Sequence, residues 1–153
     1  MNWFRKNKID SKGIERVEKE LKIQLPSFFK DFYDHQEKLI GKFKKLSNDE
    51  DYIALTTDFQ WMIEVNRDFH KLPREEGIGR NKICIGTDGC GNDSFISLDG
   101  LDTRVFKIDH EIATELMDEE IGDFNWEDDR MEKYDTLESY LKEEIQILKE
   151  FRN

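Results

Sequence analysis

Two prolines, two cysteines and three histidines are all that this chain of 153 residues contains of each. So little proline, set beside eleven phenylalanines and three tryptophans, argues against disorder although 39% of the residues are charged. Such a chain can bury enough aromatic surface to offset the entropy of ordering it. Two thiols, Cys84 and Cys90, do not make a disulfide scaffold and fit a reducing compartment. Neither has a companion Cys or His at metal-finger spacing, so no metal or cofactor site is expected. No apolar run approaches membrane-spanning length, and Met1-Asn2-Trp3-Phe4-Arg5-Lys6 is followed by no apolar signal core. The expected location is cytoplasmic. Basic residues are also in deficit, 24 Lys and Arg against 35 Asp and Glu, for a formal net charge of −11. A phosphate-rich partner would be repelled, which excludes nucleic acid and anionic membrane as expected partners, whereas a basic protein would be attracted. The plainer meaning of the same charge is solubility.

What is present reads as one α+β domain over residues 1–153. Ile14, Val17 and Leu21 form one stripe of a helix that Asp10 or Ser11 can cap. Leu25-Pro26 breaks it, and Pro26 suits the first turn of a second helix, in which Phe29, Phe32 and Tyr33 share a face. The Lys-rich stretch from Asp34 to Asp51 has apolar residues spaced too loosely to assign. Tyr52 to Leu55 reads as a short strand. Thr57 with Gln60 makes a capping box for a helix through Trp61, Met62, Val65 and Phe69, closed by Leu72-Pro73. Strands follow at Lys82 to Ile85, Phe95 to Leu98 and Arg104 to Ile108. Their connections are short and rich in Gly, Asp and Asn, which predicts an antiparallel meander. Ile112 to Met117 suits a helical turn or two. A last helix, capped by Asp135 with Glu138, carries Leu137, Tyr140, Leu141, Ile145 and Leu148 on one stripe. The fold class expected is therefore a small antiparallel sheet with N-terminal, central and C-terminal helices packed on one face.

Chemistry-bearing signatures are scarce. The turn Gly86-Thr87-Asp88-Gly89-Cys90-Gly91-Asn92-Asp93 lacks the third glycine of a dinucleotide loop and leads into a strand, not a helix. An EF-hand would need an oxygen donor where Cys90 stands and a glycine where Asp93 stands. A glycine hairpin using positive φ is the simpler expectation. Asp109-His110-Glu111 has no accompanying nucleophile or metal signature, so a small hydrolase using Asp109 and His110 is a minor alternative. The acidic stretch Asp118 to Asp129 sets Phe124 and Trp126 among carboxylates. It suits a surface that imitates nucleic acid, with Asp123, Glu127, Asp128 and Asp129 in place of phosphates and Trp126 as an anchor. Asp88, Asp93 and Asp99 at the sheet rim extend the candidate set. The competing expectation is a solvated acidic loop with Phe124 and Trp126 tucked into the core.

The order of these segments is itself informative. A first helix leads to Leu25-Pro26 and an aromatic helix. Then come Ile85-Gly86-Thr87-Asp88-Gly89 and Gly91-Asn92-Asp93 between strands, the run Val105-Phe106-Lys107-Ile108-Asp109-His110, and Leu137-Glu138-Ser139-Tyr140-Leu141 on the last helix. From Ile14 to Leu141 this resembles the SUKH superfamily, the Smi/Knr-like domain of bacterial immunity proteins and fungal cell-wall regulators. Two departures stand out: Asp34-His35-Gln36 where the family often has Asn-Gly, and Gly89-Cys90-Gly91-Asn92-Asp93 where it usually has Gly-Gly-Gly-Asp. The resemblance implies a non-catalytic immunity protein that occludes the working surface of a cognate toxin, nucleases being common among such toxins. Edge strands of the small sheet could pair between copies, so a monomer or weak homodimer is expected. A protein-interaction scaffold without a toxin is the alternative it leaves open.

Overall fold

Ile14, Val17 and Leu21 are all buried on one side of α1 (Ser11–Leu21), the stripe their spacing predicts. The computed structural model describes residues 11–47 and 52–152, so Asp10 as a capping candidate lies outside the described residues. Pro26, extended at φ −60° and ψ 147°, precedes α2 (Ser27–His35), where Phe29, Phe32 and Tyr33 turn inward. The Lys-rich stretch, whose spacing assigns no element, is largely helical and forms α3 (Glu37–Ser47). Ile40 and Phe43 are buried there, with Leu39 and Leu46 packed at their edges. Positions 39, 40, 43 and 46 do form a helical stripe; the intervening lysines mask it.

The expected strand at Tyr52 to Leu55 is reduced to a single bridge between Ile53 and Thr87. Beyond it the chain crosses over the first strand, with the Ala54 carbonyl oxygen 1.9 Å from where a side chain on Gly86 would begin. Any residue but glycine at position 86 would displace the crossing. The Thr56 amide bonds the Ile85 carbonyl at 3.0 Å, the Tyr33 hydroxyl donates to the Thr56 carbonyl, and Tyr140 bonds the Ala54 carbonyl at 2.6 Å. Then α4 (Phe59–Glu64) begins. Its cap is Asp58, whose carboxylate accepts the Trp61 amide at 3.1 Å; the Thr57–Gln60 box does not form because the helix starts one residue later.

α4 widens into a π-helical turn, Val65–His70. Wider turns change the phase of the apolar stripe. Asn66 is consequently buried, and Phe69, expected on the inner face, is 73% exposed. The Asn66 amide gains three partners: it donates to the Met62 carbonyl (2.8 Å) and the Cys84 carbonyl (2.9 Å) and accepts from the Cys84 amide (2.7 Å).

The meander is present as β1 (Lys82–Thr87), β2 (Asp93–Ser97) and β3 (Val105–Ile108), antiparallel throughout, with a bulge between Cys84 and Gly86. After α5 (Ala113–Leu116) a small hairpin follows, β4 (Met117–Asp118) with β5 (Asp123–Phe124). β6 (Glu132–Tyr134), unforeseen just after the acidic stretch, pairs with β3 and completes a sheet of order β1-β2-β3-β6. α6 (Leu137–Arg152) is capped by Thr136 and Ser139, each side-chain oxygen accepting the other's amide (3.1 and 3.2 Å), not by Asp135 and Glu138. One sheet face, with Ile83, Ile85, Ile96 and Val105, packs on the helices. The other, with Cys84, Phe95, Phe106 and Ile108, is covered by Leu116, Phe124, Trp126 and Met131. The α+β class expected from sequence is what the chain adopts.

Candidate functional site

The glycine turn is a hairpin held by its own polar side chains. Gly89 and Gly91 take φ of 82° and 95°, which suits glycine alone at little cost. The Asp88 carboxylate accepts the amides of Cys90 (2.8 Å) and Asn92 (3.2 Å) and the Asn92 side-chain amide (2.8 Å). Asn92 in turn accepts the His110 backbone amide at 2.9 Å and faces His110 Nδ1 at 2.7 Å. Asp88, Asn92 and His110 are thus one network closing the first hairpin against the end of β3. The ring partner of His110 is a side-chain amide, and Asp109 accepts the Glu111 amide at 2.9 Å. Among the described residues, no nucleophilic side chain is hydrogen-bonded to the His110 ring.

Beside this network lies an open cavity of about 560 Å³, lined among others by Phe69, His70, Ile78, Asp93, His110 and Phe124. His70 Nε2 bonds Asp93 Oδ2 at 2.8 Å, and the His70 ring meets Phe95 edge-on at 5.2 Å. Cys84 lies behind them, fully buried, with its S–H pointed at the Gly86 carbonyl (3.4 Å). Burial pushes the Cys84 thiol well above its ordinary value, with the Asp93 charge adding to the effect. Sequence offers no signal for this grouping: the three residues come from a π-helical turn and two strands.

The acidic stretch separates its two kinds of residue. Trp126 packs edge-on against Phe95, Phe106 and Phe124 at 5.9, 5.3 and 5.7 Å, lies under the Lys82 ammonium at 4.8 Å, and donates to Asp123 at 3.1 Å. Burial lowers the Lys82 ammonium despite Asp123 and Asp102 nearby. Asp123 is itself buried, accepting the Gly79 amide at 2.7 Å. Several other carboxylates, Glu115, Asp118, Glu119, Glu120 and Asp128, line a depression of about 350 Å³. Arg130 hydrogen-bonds Asp128 and holds its carboxyl at about 2. Glu127 pairs with Arg104 at 2.7 Å, which lowers its carboxyl as well. Among the described residues, Glu119, Glu120 and Asp129 make no ion pair.

A family model described as SMI1 / KNR4 family (SUKH-1) matches residues 8–143. The chain belongs to that family. No match is found among curated proteins or solved structures. SUKH-1 membership is consistent with an immunity-like or regulatory role, and among the described residues no helix is long and apolar enough to cross a membrane.

Within this SUKH-1 chain the sequence-predicted contact residues do not form one patch. Asp88 and Asp93 sit at the glycine-turn end of the meander, whereas Asp99, which accepts the Leu101 amide at 2.9 Å, sits in the turn between β2 and β3, at the opposite end. Asp88, Asp93 and Asp123 spend their carboxylates on bonds within the chain. Trp126 is half-buried and packs against the core of this sheet face together with Phe124. Asp99, Glu127 and Asp129 remain exposed, and Asp128 lies half-buried beside them. Glu119 and Glu120 stand in the same acidic stretch, where sequence alone does not single them out.

Proposed function

We propose that this SUKH-1 chain is a non-catalytic immunity protein that binds a cognate toxin of basic character, such as a nuclease, and occludes its working surface. One observation carries the proposal: the acidic stretch turns its aromatics inward while Glu119, Glu120 and Asp129 stand outward and, among the described residues, make no ion pair. Uncompensated surface carboxylates cost little in solution and accelerate encounter with a basic partner. The net charge of −11 works in the same direction.

The test has two stages. The protein is first captured from its native host and its partners identified by mass spectrometry. Association kinetics with that partner are then measured against salt for the wild type and for Glu119→Lys, Glu120→Lys, Asp129→Lys combined. A tight one-to-one basic partner whose association slows about tenfold and loses much of its salt dependence in the variant is the expected result. Unchanged kinetics would remove the acidic stretch from the interface. Several weak partners in place of one would make the protein a regulatory scaffold.

A further inference from the structure

His70 ends the π-helical turn, Cys84 lies in β1 beside the bulge, and Asp93 opens β2. One nitrogen, one sulfur and one oxygen from these side chains lie within 4.8 Å of one another, the one such grouping of three potential metal ligands among the described residues. We infer that His70, Cys84 and Asp93 form a binding site for a divalent transition ion of the zinc class, with a fourth, exchangeable position facing the cavity.

The donor set selects the ion. Thiolate and imidazole suit zinc and its neighbours, whereas calcium and magnesium want oxygen alone. Three protein ligands leave one tetrahedral position free, and His70 and Asp93 line the cavity through which an ion and a water can enter. Charge also fits: one thiolate and one carboxylate neutralise a dication, so the filled site adds no net charge to apolar surroundings.

The supports are rigid. Asn66 clamps the Cys84 backbone by both its amide and its carbonyl, at 2.7 and 2.9 Å. The His70 ring meets Phe95 edge-on at 5.2 Å, with the exposed Phe69 ring at 4.8 Å. π-turns and β-bulges both recur at functional sites, and here one of each meets. Tetrahedral bond lengths set donor atoms about 3.5 Å apart, so donors at the 4.8 Å limit close by about 1 Å while the His70–Asp93 pair opens from 2.8 Å, changes within reach of side-chain rotation.

The same trio does not suit nucleophilic catalysis, which needs an accessible thiol, because Cys84 is fully buried. A metal supplies its own driving force for deprotonation. On binding, the Cys84 S–H bond breaks and its proton leaves to solvent. The His70–Asp93 hydrogen bond breaks, the Nε2 proton leaves to solvent while Nδ1 carries the ring proton, and Nε2 and the Asp93 carboxylate each form a coordinate bond. This site stands on these three side chains and not on the toxin-binding proposal.

Cobalt(II) is the probe. Chelator-treated protein is titrated with Co²⁺ and then back-titrated with Zn²⁺, following the thiolate-to-cobalt band in the near ultraviolet. Expected are one-to-one binding with that band, displacement by Zn²⁺, and tighter binding as pH rises. Cys84→Ser should abolish the band, and His70→Gln and Asp93→Asn should each weaken affinity about tenfold or more. Cys90→Ser, which alters the exposed thiol, should change nothing. His70 and Asp93 are partly exposed, so their variants report even if Cys84→Ser misfolds. Absence of the band in the wild type, or a band that survives Cys84→Ser and disappears with Cys90→Ser, overturns the site.

Discussion

The two faces of the sheet are built differently. The helical face holds Ile83, Ile85, Ile96 and Val105 against Phe29, Met62, Leu141 and other residues that are nearly all apolar. Its polar residues include Ser94, which accepts from the Tyr140 hydroxyl at 2.8 Å, and Lys107, which reaches Glu144 of α6 at 2.9 Å. The opposite face carries Cys84, Phe95, Phe106 and Ile108 under a cover of short elements and loops, with His70, Asp93 and Asp123 among them. Large apolar burial on one side secures the fold. That security allows the other side to keep irregular backbone, a cavity and titratable groups, which a small chain could not tolerate on both.

Substitutions on either side should expose this division. Phe29→Ala, at a fully buried position of the helical face, should cost about 4 kcal/mol. Urea unfolding followed by far-ultraviolet circular dichroism checks it, as a single cooperative loss of the whole fold. Next comes Glu144→Gln, expected to cost about 3 kcal/mol by leaving a desolvated ammonium without its nearest counter-charge, Asp88 standing farther off at 3.8 Å. Burial by itself lowers the Lys107 ammonium, but Glu144, with Asp88 and Glu132, more than offsets this and raises it. A lysine raised in the folded state stabilises fully below its unfolded pKa and loses that contribution as pH climbs through the folded value. The gap between wild type and variant should therefore narrow above about pH 10, measured by unfolding at successive pH values.

Smallest is Trp126→Ala on the loop-covered face, expected to cost about 2 kcal/mol because Trp126 is only half-buried. Hydrogen exchange should show faster opening confined to residues 112–131, with α1, α2 and α6 keeping their protection. An equally global loss in Phe29→Ala and Trp126→Ala would mean that the two faces are one cooperative unit.

The helical side is legible in the amino-acid sequence. Ile14, Val17 and Leu21 in α1 and Leu137 to Leu148 in α6 follow the 3.6-residue period, and each is buried as that period requires. The meander is legible for the same local reason, since Gly89 and Gly91 mark a turn too short for anything but antiparallel pairing. Local departures are small displacements: caps at Asp58 and Thr136 stand one residue after those expected, because a cap depends on where the helix is cut by its neighbours. β6 is hidden because three residues carry too little pattern to announce a strand, and β3 supplies the partner that makes it one.

The sequence by itself determined the α+β class, the stripes that face the core, and a surplus of negative charge, all of which are properties of neighbouring residues or of their sum. Only the tertiary structure decided which carboxylates are free. Asp123 and Asp128 read alike in the sequence, yet one is enclosed beneath Trp126 and the other is held by Arg130 at the surface. It also decided that His70, Cys84 and Asp93 meet. A π-helical turn, a bulge and a hairpin bring them together, and distances across 23 residues of chain are set by packing, not by spacing.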